Sequence, residues 1–94
     1  MGAKWTGLSN ETLTHPGERI RMQLELYQMT QKELAARIDK SEEHINRIIA
    51  GENPITPDVA VGLEKVFPLS ATFWNRLQMK YDEEKTEIER ISNL

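Results

Sequence analysis

The fold is decided by residues 30–51, which read "TQKELAARIDKSEEHINRIIAG". Thr30 is followed three residues later by Glu33, which is the spacing of a helix capping box, and Ser41 stands where a second helix would be capped. Gly51 is a stop signal for that second helix. Apolar residues recur at helical spacing in two groups, Leu34, Ala35 and Ile38 followed by Ile45, Ile48 and Ile49. The stretch predicts two short helices joined by a tight corner.

The corner has the features of a helix-turn-helix. Two helices must cross at a steep angle if one is to enter the major groove of DNA while the other lies across the DNA backbone. A steep crossing needs a small residue at the contact, which Ala35 supplies. Asp39 tolerates the positive φ that the corner requires, and Ile45 is placed to face inward. An ordinary helical bundle would share each feature singly, but their joint spacing favours a helix-turn-helix that contacts DNA.

The flanking sequence predicts three further helices. "HPGE" at residues 15–18 begins the first, with Pro16 in its first turn, where a missing N–H costs nothing. Thr56 and Pro57 begin the fourth helix, Pro68 ends it, and Ser70 caps the fifth. The apolar stripes of these helices are Ile20, Leu24 and Tyr27; Val59, Ala60, Leu63, Val66 and Phe67; and Phe73, Trp74, Leu77 and Tyr81. With no β alternation, we expect an all-α fold of five helices.

The chain divides into three parts. Residues 1–14 show no periodicity and are expected to form a flexible N-terminal arm. Residues 15–81 form the helix-turn-helix domain. Residues 82–94, "DEEKTEIERISNL", are mostly charged, with a thin apolar stripe of Ile88, Ile91 and Leu94. We expect this segment to be a helical extension, either an exposed arm or a dimer seam.

The composition restricts the function. A chain of 94 residues fits one small domain, and the absence of cysteine excludes disulfides and thiolate chemistry and fits a reducing cytosol. The first ten residues lack the apolar core of a signal peptide, and no run approaches the roughly 20 apolar residues of a membrane span. We therefore expect a cytoplasmic protein without a membrane partner. The net charge of −3 argues mildly against a nucleic-acid partner, since most DNA-binding domains are basic.

The outward side of the second helix of the motif carries the candidate base-reading residues, Glu42, Glu43, Asn46 and Arg47. Arginine suits a guanine edge and asparagine suits adenine, and a glutamate accepts a hydrogen bond from the cytosine amino group. The two glutamates also lie in a first helical turn, where carboxylates stabilise the helix dipole whatever else they do. Gln31 begins the preceding helix, where its amide and the helix N-terminus would together hold a phosphate.

The spacing "TQKELAARI…S…INRIIAG" closely resembles the Xre-like, phage-repressor-type helix-turn-helix family. "HPGE", "ITPDVAVGLEKVF" and "SATFWNRLQMKYD" narrow the resemblance to the HigA-type antitoxins, over about residues 15–82. The resemblance implies a five-helix DNA-binding domain that dimerises and represses its own operon. It also implies sequestration of a HigB-type toxin, a ribosome-dependent mRNA endonuclease. The expected partners are therefore operator DNA, a cognate toxin and a second copy of the chain.

The resemblance assigns roles to individual residues. Glu42, Glu43, Asn46 and Arg47 match the outward positions of the recognition helix, and Gln31 matches the phosphate-holding glutamine. The full set of expected phosphate contacts is Thr30, Gln31, Lys32, Lys40, Ser41 and Asn53. The expected dimer residues are Phe73, Trp74, Leu77 and Tyr81, all on the last helix.

The sequence departs from the family pattern at several positions. Arg19 and Lys40 stand where apolar residues are usual, so the aliphatic stem of Lys40 must do the packing. Asp39 replaces the usual glycine at the corner. Glu42 and Glu43 replace residues that are commonly neutral or basic, which puts the strength and sequence of DNA binding in question but not the fold.

No catalytic or metal-binding pattern is present. His15 is expected to be a feature of the first helix N-terminus and His44 a surface residue, and neither has a second ligand at metal spacing. We expect no enzymatic activity, no metal and no cofactor. Two rivals remain open: a protein-binding module that kept the fold but lost DNA binding, and the N-terminal DNA-binding part of a longer regulator. The acidic run that begins at Asp82 is typical of a solvated helix face. It would also suit a connector to a further domain or the attraction of a basic toxin.

Overall fold

The computed structural model describes residues 14–92, which form five α-helices and contain no strand. In chain order these helices are α1 (Gly17–Leu26), α2 (Gln31–Arg37), α3 (Glu42–Ile49), α4 (Pro57–Val66) and α5 (Ala71–Ser92). The all-α, five-helix prediction is confirmed. Of the expected flexible arm, residues 1–14, only Thr14 is among the described residues. Leu94 of the expected apolar stripe also lies outside them.

Three helices begin at the side-chain caps that their sequences predict. The Thr30 hydroxyl accepts from the backbone N–H of Glu33 at 3.0 Å, and the Glu33 carboxylate accepts from the Thr30 backbone N–H at 3.1 Å, which completes the capping box. The Ser41 hydroxyl accepts from the backbone N–H of His44 at 3.0 Å. The hydroxyl of Ser70 does the same for Phe73. These side chains satisfy backbone donors that the first helical turn leaves free.

Thr56 occupies the N-cap position of α4, but its side chain does not cap the helix. Its hydroxyl instead donates to the Asp58 carboxylate at 2.6 Å. The predicted start of α4 at Thr56 and Pro57 is therefore confirmed in position, whereas hydroxyl capping of the backbone is absent there. The hydroxyl is oriented toward the Asp58 carboxylate, with which it forms a charge-assisted hydrogen bond.

The corner between α2 and α3 has the predicted backbone. Asp39 has a φ of +58°, in the left-handed region, and the backbone N–H of Lys40 returns to the Ala35 carbonyl at 2.9 Å. Ala35 is buried, so its small side chain allows the two helices to approach closely. Gly51 has a φ of +85° and follows α3 as the predicted stop. These features hold α3 in a fixed orientation relative to α2.

The apolar core is assembled from all five helices. Its fully buried large side chains include Ile20, Leu34, Ile45, Ile48, Val59, Leu63 and Trp74. Trp74 is 0 % exposed, so it has no surface to offer a second copy of the chain. It is therefore a core residue rather than a dimer-interface residue, which corrects the sequence-based assignment. The indole is part of the core cluster, and its burial anchors α5 to the domain.

Helix α5 runs without interruption from Ala71 to Ser92. The helical extension expected after residue 81 is therefore present as far as Ser92, and no change of secondary structure marks its start. Ile88 is buried, whereas Ile91 is 43 % exposed. None of the helices in residues 14–92 is long and apolar enough to cross a membrane.

Candidate nucleic-acid interface

The first turn of α2 and the outward side of α3 form one exposed surface, called here the reading surface. Ile45 and Ile48 face the core, which turns the opposite side of α3 to solvent. The structure brings together on that side all four candidate base-reading residues, Glu42, Glu43, Asn46 and Arg47, and all four are exposed. Because α3 is amphipathic, its burial dictates which residues a DNA partner would meet.

A hydrogen bond links the reading residues of α3 to the N-terminus of α2. The Asn46 Nδ2 amide donates to the Gln31 Oε1 atom at 3.3 Å, across 15 positions of sequence. Gln31 is the expected phosphate contact and Asn46 an expected base contact. The bond uses the side-chain oxygen of Gln31 and one N–H of the Asn46 side chain. The side-chain N–H groups of Gln31 and the side-chain oxygen of Asn46 therefore remain available to DNA.

A second contact joins two charged residues on α3. The Arg47 Nη2 atom donates to Glu43 Oε2 at 3.4 Å, and the two side chains are 53 % and 77 % exposed respectively. The residues are four positions apart with the glutamate nearer the N-terminus, which is the favourable order on a helix. Exposed pairs of this kind stabilise a helix by only about 0.3–0.5 kcal/mol, so both groups are readily available to another partner.

The expected phosphate contacts at the two helix starts are also exposed. Thr30, Lys32 and Ser41 lie at or beside the first turns of α2 and α3, where unpaired backbone N–H groups and the helix dipole favour anions. The Thr30 hydroxyl donates to Glu33 at 3.2 Å as well as accepting from its backbone. Hydrogen bonds from the Thr30 backbone amide and then its hydroxyl lower the pKa of the Glu33 carboxyl. Glu33 is therefore a fixed negative charge beside the surface.

Lys40, another expected phosphate contact, is paired in this structure. Its ammonium group contacts the carboxylate of Asp58 at the start of α4, and only 29 % of the Lys40 side chain is exposed. Most of the Lys40 side chain is thus covered, and packing of its stem in place of an apolar residue stays a prediction. The hydrogen bond from Lys40 and, to a lesser extent, the hydrogen bond from Thr56 lower the pKa of Asp58 to about 2. A phosphate must compete with this carboxylate for the Lys40 charge.

The loop after α3 carries Asn53, the last of the expected phosphate contacts. The backbone N–H groups of Glu52 and Asn53 both donate to the Arg47 carbonyl, at 2.8 and 3.2 Å. Farther along the loop, the Ile55 backbone N–H donates to the Gln78 side chain at 2.8 Å. Gln78 is buried on α5 and also donates to Asp82 at 2.9 Å.

Gln78 therefore anchors the loop that carries Asn53, a positioning role that sequence reasoning missed. Gln78 lies one turn after the buried Trp74, and a glutamine at such a position reveals its role only once the loop is placed against it.

Three of the four expected dimer residues lie on the outer part of α5. Phe73, Leu77 and Tyr81 are each partly exposed, unlike Trp74. The Arg19 guanidinium lies 5.5 Å from the centre of the Phe73 ring, a cation–π contact that accounts for an arginine where the family pattern has an apolar residue.

His15 connects the start of α1 to the same helix. Its Nδ1 atom accepts from the Gly17 backbone N–H at 3.0 Å, and its ring packs edge-on against Tyr81 with centroids 4.7 Å apart. Its expected place at the first helix N-terminus is confirmed. Burial lowers the pKa of His15, an effect that Asp82 opposes and Lys85 reinforces. In residues 14–92, no group of three or more histidine or acidic side chains is placed to hold a metal ion.

The profile of the helix-turn-helix family HTH_3 matches residues 20–74, more than half of the chain. The chain belongs to the Xre-like helix-turn-helix family. Among curated proteins, it is 39 % identical to virulence-associated protein A of Dichelobacter nodosus over 69 residues, which cover 71 % of this chain and 68 % of that protein.

Solved structures of Xre-like proteins superpose closely on this chain. The Pseudomonas aeruginosa antitoxin HigA with the higBA promoter has a TM-score of 0.80 and 28 % identity, covering 86 % of this chain and 89 % of that one. Another P. aeruginosa structure, of a chain in complex with its 28-bp operator DNA, has a TM-score of 0.80 and 28 % identity, covering 87 % of this chain and 91 % of that one. An addiction-module antidote protein of the HigA family from Coxiella burnetii has a TM-score of 0.74 and 30 % identity, covering 86 % and 92 %. The resemblance to HigA-type antitoxins is thus confirmed, and this Xre-like chain has the helix-turn-helix fold of DNA-binding antitoxins.

Proposed function

We propose that the chain is a sequence-specific DNA-binding repressor that places α3 in the major groove of an operator. The observation that carries the proposal is the exposed reading surface, in which Asn46 on α3 is hydrogen-bonded to Gln31 at the start of α2. This bond sets a base-reading side chain beside a phosphate-holding one, as the docking of a helix-turn-helix requires. The operator-bound structures of similar proteins support the same mode of docking.

The charge of the surface determines how such binding would behave. Lys32, Arg37, Lys40 and Arg47 are balanced in residues 30–51 by Glu33, Asp39, Glu42 and Glu43. A segment with no net charge attracts phosphates weakly, so non-specific affinity is low and the salt dependence shallow. Affinity for the operator then comes from a few phosphate contacts and from base readout.

The proposal is tested by fluorescence-anisotropy titration of the DNA upstream of the chain's own gene against a scrambled duplex. Wild type should prefer the upstream DNA, and Arg47→Ala should weaken that binding by about 1–3 kcal/mol if Arg47 contacts a guanine edge. Arg90→Ala is the matched control, because Arg90 is also an exposed arginine paired with a glutamate, Glu87, but lies near the end of α5. It should bind as wild type does. Equal affinity of the wild type for both duplexes would refute sequence-specific binding.

We further propose that the repressor is a homodimer that joins through α1 and α5. A groove of about 250 Å³ lies between these helices, and Met22 and Leu77 contribute apolar surface to it. Met22 is 49 % exposed, and Phe73 and Tyr81 are partly exposed nearby on α5. A second copy would cover this apolar surface. The resulting dimer would present two reading surfaces to DNA half-sites one helical turn apart.

Light scattering at tens of micromolar protein tests the dimer, which should give twice the mass of one chain. The double variant Leu77→Ala/Tyr81→Ala should shift the mass toward that of a monomer. Met79→Ala is the control, because Met79 is an apolar residue of the same helix that is 54 % exposed and outside the proposed seam. Circular dichroism of each variant establishes that it remains folded. A monomer mass for wild type, or a double variant that stays dimeric while folded, would contradict the proposed seam.

We propose in addition that the chain is the antitoxin of a toxin–antitoxin module, acts in the cytoplasm and has no enzymatic activity. The HigA structures support this proposal. The test is to express the product of the adjacent gene alone and together with this chain. A small ribonuclease that arrests growth alone but not with this chain supports the proposal. An adjacent product that is harmless, or that arrests growth equally in both cases, would refute it.

A protein-binding module without DNA contact remains the second candidate. The observation that favours it is the Glu43–Arg47 pair, in which the only arginine of α3 is already held by a carboxylate. Such a module would not bind the upstream DNA, either as wild type or after Glu42 and Glu43 are neutralised. The Glu42→Gln/Glu43→Gln variant therefore separates the two candidates in the same anisotropy assay.

A further inference from the structure

We propose that Glu43 and Arg47 act as one reading unit for a single G·C base pair, in which Arg47 contacts the guanine and Glu43 the cytosine paired with it. The inference rests on the proposed DNA binding and specifies what the reading surface recognises. Its starting point is geometric. The two side chains project from α3 one turn apart, with their tips in contact at 3.4 Å and both largely exposed.

The contact leaves most of the hydrogen-bonding capacity of both groups unused. A guanidinium has five N–H donors in a planar fork, and a carboxylate has two acceptor oxygens. The observed bond uses Nη2 of Arg47 and Oε2 of Glu43. The remaining N–H groups of Arg47 and the Oε1 atom of Glu43 are therefore free to meet a base pair, with donors and an acceptor side by side.

A G·C pair presents the complementary pattern in the major groove. Guanine offers two adjacent acceptors, N7 and O6, and the cytosine amino group beside O6 offers a donor. An A·T pair does not fit as well. Adenine has one acceptor and one donor, and thymine adds an acceptor and a methyl group. The arginine fork would lose one of its two bonds there, and the carboxylate would face the thymine oxygen or methyl group.

The same contact limits binding to the wrong sequences. While Glu43 neutralises Arg47, the guanidinium adds little attraction to phosphates in general. The Glu43 carboxylate favours binding only where a base donor faces its Oε1 atom, and it costs desolvation energy opposite any other group. Glu43 would therefore act as a selectivity residue.

Glu42 provides a matched comparison for this role. Both glutamates lie in the first turn of α3 and carry the same charge, so both stabilise the helix dipole. Glu43 forms the contact with Arg47, whereas no ion pair of Glu42 is found among residues 14–92. If Glu43 served only the helix dipole or the overall charge, Glu43→Ala and Glu42→Ala would have the same effect on sequence preference.

The experiment begins with selection of bound duplexes from a randomised DNA pool by the wild-type chain. The recovered site is then synthesised with single modified bases, and the affinity of each duplex is measured. 7-Deazaguanine removes the N7 acceptor, and N4-methylcytosine blocks the groove-facing amino donor. Wild type should lose on the order of tenfold in affinity for either modification at one and the same base pair.

The variants assign the two contacts. Glu43→Ala should become indifferent to N4-methylcytosine at that pair while remaining sensitive to 7-deazaguanine, and Arg47→Ala should become indifferent to 7-deazaguanine. Glu42→Ala should keep both sensitivities at that base pair, whatever its effect on overall affinity. If wild type enriches no sequence, the proposed DNA binding itself fails. If it enriches a site in which no G·C pair shows both sensitivities, or if the two glutamate variants behave alike, the reading unit is refuted while the proposed function stands.

Discussion

The Asn46 side chain donates to Gln31 at 3.3 Å and so joins the recognition helix to the start of the helix before it. The bond lies on the solvent-exposed side of the corner between α2 and α3. Ala35 and Ile45 are buried on its other side. A side chain that is held before binding has less rotational freedom to lose when it meets DNA. The bond therefore relates the fold of the corner directly to the placement of its reading residues.

Gln31→Ala should weaken binding to all duplexes alike. If Gln31 contacts a phosphate, its loss removes about 1.5 kcal/mol, or about tenfold in affinity, from the upstream and the scrambled DNA alike. Anisotropy titrations of both duplexes test this, with Asn75→Ala as a control that removes an exposed amide from α5. A change in the ratio of the two affinities would instead show that Gln31 acts on base readout through Asn46.

The double variant Glu42→Gln/Glu43→Gln should bind non-specific DNA more tightly than wild type and discriminate less. Removing two negative charges from the first turn of α3 reduces repulsion of phosphates and frees Arg47 from its carboxylate partner. The measurement is affinity for the scrambled duplex at two salt concentrations, where the variant should also show the steeper salt dependence. Unchanged non-specific affinity would indicate that phosphates do not approach this end of α3.

Gly17→Ala should destabilise the domain by about 3 kcal/mol or more. An added Cβ would overlap the Ile48 carbonyl and lie 2.8 Å from the Ile49 Cα atom, so α1 and α3 would have to separate. Gly62→Ala is the comparison, because its Cβ would meet the Ile38 side chain, at 2.8 Å from its Cβ atom. The Ile38 Cβ atom moves only with its own backbone, so Gly62→Ala should also destabilise, by about 1–3 kcal/mol. The loss should be smaller than for Gly17→Ala, whose added Cβ would lie closer to its nearest atom, the Ile48 carbonyl oxygen. Urea unfolding gives both values, and a neutral Gly17→Ala would contradict the close approach of α1 and α3.

Stability should fall when the pH drops below the ordinary pKa of histidine. The pKa of His15 is lowered below 6.5 by burial, so the unfolded chain binds a proton more tightly than the folded one. The contribution of neutral His15 is complete above pH 6.5 and is lost as the pH falls through its lower folded-state pKa. Protonation also removes the Nδ1 acceptor that caps Gly17.

Urea unfolding between pH 7.5 and 5 measures this dependence, in a range well above the pKa of about 2 for Asp58. His15→Gln should flatten the pH dependence. His44→Gln, which removes the other histidine of the chain, should leave it in place. If His15→Gln retains the full wild-type slope, the loss of stability has another origin.

The corner and the helix starts were predictable because the interactions that determine them join residues close in sequence. The capping box at Thr30 and Glu33, the cap at Ser41 and the positive φ of Asp39 each depend on residues within a few positions, and all are observed. The amphipathic period of α3 likewise settles which of its sides faces solvent.

What the sequence did not reveal depends on contacts between distant segments. Three contacts join segments that are far apart in sequence: the close approach at Gly17, the bond from the loop before α4 to the buried Gln78, and the stacking of Arg19 on Phe73. The same reason explains the misassignment of Trp74. A large aromatic residue on an apolar stripe suits a core and an interface equally well, and only the packing of α5 distinguishes them.

The central claim, that DNA binds across the starts of α2 and α3, is tested most directly by amide NMR. A titration of the 15N-labelled chain with its upstream duplex should shift the backbone signals of residues 30–33 and 41–47, together with Asn53. Signals of residues 83–92 at the end of α5 serve as the internal reference and should move little. Shifts confined to α5, or no shifts at a DNA concentration equal to that of the protein, would contradict the claim.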